Sequence, residues 1–261
     1  VARTRGVLRG CAAATKFELR TIAPSPAFAP FVEHHWALTW DLDEPFEQEV
    51  VPHPNVLPVF EATGAHVTGV MRGRFARTIH GRGRVLGVRF HPGGYRPWWG
   101  AAVSTLTDRV VPFDGGGDVL THAGPVARAR AAEAVLLPLL PAPDPTVDLV
   151  RAMCDRIRTD LALTRVDRLA AGFGTTARTV QRLFRDYVGV GPKWVIRRHR
   201  AHEAAARAEA GEDVDWSALA AELGYSDQAH LVREFTSAVG TSPARHARAA
   251  GQAPRWGTRG P

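Results

Sequence analysis

The stretch Glu222-Leu223-Gly224-Tyr225-Ser226-Asp227-Gln228-Ala229-His230-Leu231-Val232-Arg233-Glu234-Phe235, closed by Gly240-Thr241-Ser242-Pro243, decides the reading of the chain. Leu231 and Phe235 sit one helical turn apart, the spacing of a single buried face. Just upstream, Leu219, Ala220 and Leu223 form a second short helical pattern that stops at Gly224. Two short helices around a glycine turn make a helix-turn-helix unit.

The unit occurs twice. Leu169-Ala170-Ala171-Gly172-Phe173-Gly174 precedes Leu219-Ala220-Ala221-Glu222-Leu223-Gly224 by 50 residues. Arg182-Leu183-Phe184 precedes Arg233-Glu234-Phe235, and Gly189-Val190-Gly191-Pro192 precedes Gly240-Thr241-Ser242-Pro243, each by 51. In the first copy Thr164 reads as an N-cap, with Asp167 three residues on in the manner of a capping box. Val166, Leu169, Ala170 and Phe173 face inward, and Gly174 stops the helix because glycine takes the left-handed conformation cheaply. Thr176 caps the next helix, whose buried stripe is Val180, Leu183 and Phe184. In the second copy Asp215 caps, Leu219, Ala220 and Leu223 face inward, Gly224 turns, Ser226 caps, and Leu231 and Phe235 are buried.

The outward residues of each second helix carry the chemistry. They are Arg178, Thr179, Gln181, Arg182 and Arg185 in the first copy, and Gln228, His230 and Arg233, with Asp227 beside them, in the second. Arginine pairs bidentately with guanine and glutamine with adenine in the major groove. The helix starts at Thr176 and Ser226 offer free N–H groups to phosphates. Polar residues on one outer face are ordinarily just solvated; two equivalent helices in matching registers favour a binding surface. Between the copies Pro192 suits a first helical position, and Lys193 to Glu209 runs without a breaker, about 25 Å at the helical rise. Trp194, Val195 and Ala201 are expected inside; Lys193, Arg197, Arg198 and Arg200 face either phosphates or solvent.

These residues resemble the double helix-turn-helix DNA-binding domain of AraC/XylS-type bacterial transcriptional regulators, over about residues 150–250. Glu222 to Phe235 with Gly240 to Pro243 follows that family's signature almost position for position, whereas Gly174-Thr175-Thr176-Ala177 stands where Gly-Met-Ser-Pro is common. The resemblance implies a sequence-specific DNA-binding regulator reading two adjacent major-groove segments. It makes Arg178, Gln181 and Arg182, then Gln228, His230 and Arg233, base-facing or phosphate-facing, with Thr176, Thr179, Arg185, Lys193 and Ser226 completing the expected interface. Double-stranded DNA is the expected partner. A small-molecule effector, RNA polymerase and a second copy of the chain are further candidates, and no membrane is called for.

Upstream the texture changes. Val56 to Phe60, Ala65 to Val70 and Val85 to Phe90 are short runs rich in β-branched and aromatic residues, punctuated by Gly and Pro, which suits a barrel or sandwich. Val51-Pro52-His53-Pro54-Asn55, Gly87 to Gly94 and Leu106 to Pro112 resemble a sensor half found upstream of such DNA-binding domains, which implies a β-rich, cupin-like fold. The expected class is α+β and multidomain. A β-rich effector or dimerisation domain covers 1–137, with a loose basic segment over residues 1–20. A Pro-rich linker covers 138–148, an all-α double helix-turn-helix domain 149–250 and a disordered tail 251–261.

Charge agrees with this division. The chain carries +7 formal charges. Residues 1–150 hold 15 Lys and Arg against 14 Asp and Glu, and the rest 18 against 12, so the excess lies in the helical half. A basic domain beside a neutral one suits a polyanion partner, although an arginine-rich coding bias gives the same balance.

Cys11 and Cys154 are the only cysteines, too few for a disulfide scaffold or a Cys-rich zinc site. Arg9 and Lys16 interrupt any secretory apolar run, and Leu8-Arg9-Gly10-Cys11 lacks the apolar segment of a lipoprotein signal, so a cytoplasmic protein is expected.

His34, His35, His53, His66, His80 and His91 invite a metal reading, but none forms an H-x-H pair, and adjacent His34 and His35 would point to opposite strand faces. No metal, cofactor or catalytic residue is expected. Trp36, Trp40, Trp98 and Trp99 read as core more readily than as a ligand pocket. The rival reading is an enzyme or repair activity in the N-terminal barrel tethered to DNA. Against it, the sequence holds no nucleophile elbow, P-loop or H-E-x-x-H.

Overall fold

The structure, a computed structural model, describes residues 17–209 and 214–251. Its first half is one antiparallel sheet. Strands β1 (Phe17–Ile22), β2 (Val32–Val50), β3 (Leu57–Glu61), β4 (Gly64–Thr68), β5 (Phe75–Phe90) and β6 (Val110–Phe113) pair in the order β1-β2-β5-β3-β4-β6. The β-rich expectation is met by an open six-stranded sheet rather than a closed barrel. Residues 17–20, read as part of a loose N-terminus, belong to β1, because Phe17 to Ile22 pairs with Trp40 to His35.

β2 and β5 are long and pair along their whole lengths, broken by bulges at Val32/His34 and Leu42/Phe46. Side chains alternate across a strand, so His34 and His35 point to opposite faces as expected. His35 is fully buried, with Nε2 2.9 Å from Glu133 Oε1 on helix α2 (Gly124–Leu136). That contact fixes the face α2 covers. On the opposite face Trp36 and Trp40 lie against Gly87 and Gly83; a Cβ at either glycine would come within 2.1 Å of an indole. Trp98, within the one-turn helix α1 (Arg96–Trp99), packs edge-on to Phe31 and Phe90. Of these three tryptophans, Trp40 also borders an open cleft at the side of the sheet.

The second half is helical: α3 (Pro145–Thr159), α4 (Val166–Gly172), α5 (Ala177–Leu183), α6 (Pro192–Glu209), α7 (Trp216–Glu222), α8 (Gln228–Val239) and α9 (Pro243–Gly251). Asp144 caps α3 by accepting from Thr146 N at 2.8 Å, and Pro145 takes the first turn. The last residues of the stretch read as linker are therefore helix. α9 reaches Gly251; the rest of the expected tail, and residues 1–16 with Cys11, lie outside the described residues. Among the described residues no helix is long and apolar enough to cross a membrane.

One hydrophobic core runs from the sheet into the helices. It joins Phe31, Leu86, Phe90 and Leu106 to Val150, Met153, Leu169, Phe184 and Ile196. Thr107 Oγ1 donates to Gly189 O at 2.6 Å, and Tyr187 OH to Asp144 Oδ2 at 2.8 Å. A second core gathers Leu219, Leu223, Leu231 and Phe235, and takes Val51 from just after β2. Two loops of the sheet also reach this second unit. His53 stacks on His202 of α6 at 4.0 Å, and Arg198 of α6 donates to Arg72 O at 2.5 Å.

Candidate nucleic-acid interface

α4 and α5 form the first helix-turn-helix unit. Arg165, not Thr164, occupies the N-cap of α4 and makes no side-chain cap bond. Asp167, at the second helical position, instead accepts from Arg168 N at 3.0 Å and pairs with Arg165 at 2.6 Å. A carboxylate in the first turn complements the helix dipole without an N-cap hydroxyl, and the Arg165 guanidinium holds it down to about 2. Gly174 turns with φ +61°, and Thr175 N returns to Ala170 O at 3.0 Å. Thr176 caps α5 as expected, accepting from Thr179 N at 3.2 Å. Val180, Leu183 and Phe184 are buried. The helix ends in a wider π turn over Phe184–Val188, stopped by Gly189.

This leaves Arg178, Gln181, Arg182 and Arg185 exposed on one surface, with Thr176 exposed and Thr179 half-buried beside them. Among the described residues, none of those four long side chains is held by a side-chain hydrogen bond or an ion pair. The face is a set of uncommitted donors.

The second unit follows the same plan with one shift. Asp215 caps α7 through Ser217 N at 2.9 Å and Ala218 N at 3.0 Å. Gly224 turns with φ +70°. The cap of α8 is Asp227, which accepts from His230 N at 2.7 Å, and not Ser226 as expected. Both residue types cap well; the helix starts one residue later, so the carboxylate takes the position. Ser226 Oγ donates to Asp227 Oδ2 at 3.2 Å and lies 3.1 Å from His230 Nδ1.

α8 presents a more committed face. Gln228 Oε1 accepts from Ser217 Oγ of α7 at 3.0 Å. His230 stands edge-on to Tyr225 and 3.6 Å from Glu234, which pairs with Arg197 of α6 at 2.6 Å. Arg233 is exposed, with no hydrogen bond or ion pair among the described residues.

α6 links the units over 18 residues, about 27 Å of helix. Lys193 is exposed at its start, but Arg198 and Arg200 are only 5% and 7% exposed. Arg198 lies 4.7 Å over Trp194, and burial pushes it down to about 10. Arg200 sits 3.7 Å over the Tyr225 ring. Neither is available to solvent or phosphate: both serve as packing between α6 and its neighbours. α9 was not anticipated. Pro243 opens it just as Pro192 opens α6, and its His246 is buried 3.1 Å from Glu209. The repeated Gly-x-x-Pro was the available signal.

Paired helix-turn-helix units with exposed second helices define a class, the DNA-binding transcription regulators. Residues 169–249 match the family described as a helix-turn-helix domain, and residues 20–112 match a domain of unknown function, DUF6597. Residues 169–249 are thus a helix-turn-helix domain, joined to a β-rich module. A comparison with curated protein sequences finds no match. Among solved structures the chain is similar to ToxT from Vibrio cholerae in its P21 crystal form, with 9% identity, 90% of this chain and 98% of that one covered, and a TM-score of 0.43. It is also similar to ToxT from Vibrio cholerae O395 bound to (E)-4-(8-methylnaphthalen-1-yl)but-3-enoic acid, with 9% identity, 90% and 99% coverage and a TM-score of 0.44.

Proposed function

We propose that this chain recognises a specific operator by placing α5 and α8 in two adjacent major-groove segments, and that a small molecule acting on the β-rich module modulates it. The observation that carries the first part is the duplicated exposed face. Arg178, Gln181 and Arg182 on α5, with Thr176 and Thr179 at its start and Arg185 in the π turn after it, are matched by Ser226 ahead of α8 and by Gln228, His230 and Arg233 on it. Lys193 serves as a phosphate contact between them. The second part rests on the shared core and the two loop contacts, which give any change in the sheet a route to both units. The cytoplasm is the compartment where such a protein meets its DNA.

Selection from randomised duplexes at moderate ionic strength tests the reading. The expected result is a motif of two boxes about one helical turn apart. Recovery of no preferred sequence overturns it.

A further inference from the structure

The sheet carries an open cleft of about 710 Å³ that the DNA-binding reading does not use. It lies beside the N-terminal end of α2, where the long antiparallel ladder of β2 and β5 runs past the helix. Strand register fixes what lines it. His35 faces α2, so Thr39 and Asp41, at even offsets along the same strand, face the same way. Thr39 pairs with Arg84 and with Glu18, and Asp41 with Arg82, and paired residues share a face. Arg128 comes in from α2. Phe17, Trp40 and Gly83 add an apolar side, so the lining is mixed, with its charged groups on the face that α2 covers, and the cleft falls within the volume range of small-molecule sites.

The charges in it are not balanced pair by pair. Glu18 is taken by Arg20 at 2.8 Å and Asp41 by Arg82 at 2.8 Å. Asp43 is engaged as well. Arg84 and Arg128 have no carboxylate among the described residues. Arg128 is only 8% exposed, and its one hydrogen bond, from Nε to His122 O at 3.0 Å, leaves the ends of the guanidinium for the cleft. Burial first, and then the charge of Arg84, lowers its proton affinity, so the two cations feel one another. Arg128 thus carries its charge largely out of water beside the exposed Arg84, an arrangement that an anion between them would relieve.

We propose that this cleft is an oxyanion site, in which Arg84 and Arg128 share one carboxylate or phosphate of a small hydrophilic molecule. Planar guanidinium forks bind either group bidentately. Thr39 is placed for a neighbouring hydroxyl. The proposal rests on the regulator reading only in supplying that reading's effector with a place and a chemistry.

The test uses the full chain, with inorganic phosphate and citrate as separate probes, followed by calorimetry and by thermal shift against sodium chloride of equal ionic strength. At least one probe should bind saturably and stabilise the protein. Arg84→Ala should weaken that binding about tenfold or more. Arg84→Glu should abolish it while leaving the melting temperature equal or higher, because the new carboxylate meets Arg128. A response to phosphate alone identifies a phosphorylated ligand, and a response to citrate alone a carboxylic acid. Absence of saturable binding by both probes, or equal binding by wild type and both variants, overturns the proposal. Operator selection by Arg84→Ala without anion should match wild type, so loss of the oxyanion site and loss of DNA recognition are read separately.

Discussion

On the proposed reading Arg233 and Lys193 make two kinds of contact, and substitution separates them. Arg233 projects from the outer face of α8, so Arg233→Ala should cost about 1–3 kcal/mol at the preferred operator and relax discrimination at one base position. Binding measured on cognate and mutated operators checks this; equal losses on both would place Arg233 on the backbone. Lys193→Ala should weaken all sequences alike and reduce the salt slope of binding by about one. The caps give a second test. Asp227→Ala removes the bond to His230 N and should cost about 1 kcal/mol in urea unfolding, whereas Ser226→Ala, which caps nothing, should cost less. Single residues were the least legible part of the sequence. Ser226 and Asp227 are both good caps, and the choice between them depends on where the chain leaves the Gly224 turn. Arg198 and Arg200 read as cations facing phosphates or solvent, because charge pattern alone does not show that Trp194 and Tyr225 supply ring faces for them.

At the scale of elements, the repeat made α4, α5, α7 and α8 readable, since each carries its own buried stripe and a stop. The two turn glycines nonetheless differ. Both have positive φ, which costs any other residue about 1–2 kcal/mol. A Cβ on Gly174 meets nothing within 4 Å, whereas one on Gly224 lies 2.6 Å from Thr164 Cγ2. Gly224→Ala should therefore destabilise more than Gly174→Ala in denaturant unfolding. Equal losses would mean that Thr164 simply moves aside. The lengths of β2 and β5 were not legible: beyond Leu42 most of their residues are exposed, and only a small apolar cluster around Ile79 and Phe46 marks the outer ends, too sparse to give the alternation of a half-buried strand. β1 was hidden for a similar reason, with only Phe17 buried among its six residues.

At the scale of the whole molecule, the two-part composition was plain, but the way the parts join was not. Contacts between residues a hundred positions apart leave no local pattern. Val150 and Met153 of α3 belong to the same core as Phe31. A fragment of residues 149–250 should therefore lack a cooperative thermal transition. A sharp melt at the temperature of the full chain would contradict this. His202 gives the junction a pH dependence. Burial, then the nearby His199 and Arg198, push it down to about 3, so it is docked as the neutral ring. Because its folded value lies below the ordinary histidine value, its contribution is complete above about pH 6.5 and declines below it, by about 2 kcal/mol at pH 5. Melting temperature against pH should fall more steeply for wild type than for His202→Phe, which keeps a ring on His53; parallel profiles would remove His202 from the junction.

The two cores have a further consequence for how the molecule opens. Amides of α4 and α5 sit over residues continuous with the sheet, so their exchange with deuterium should require opening of nearly the whole protein. Amides of α7 and α8 cover a smaller, separate cluster and should exchange sooner, by a sub-global opening that leaves the rest protected. The two readers would then differ in tempo, the first as durable as its scaffold and the second lent to the duplex on a looser tether.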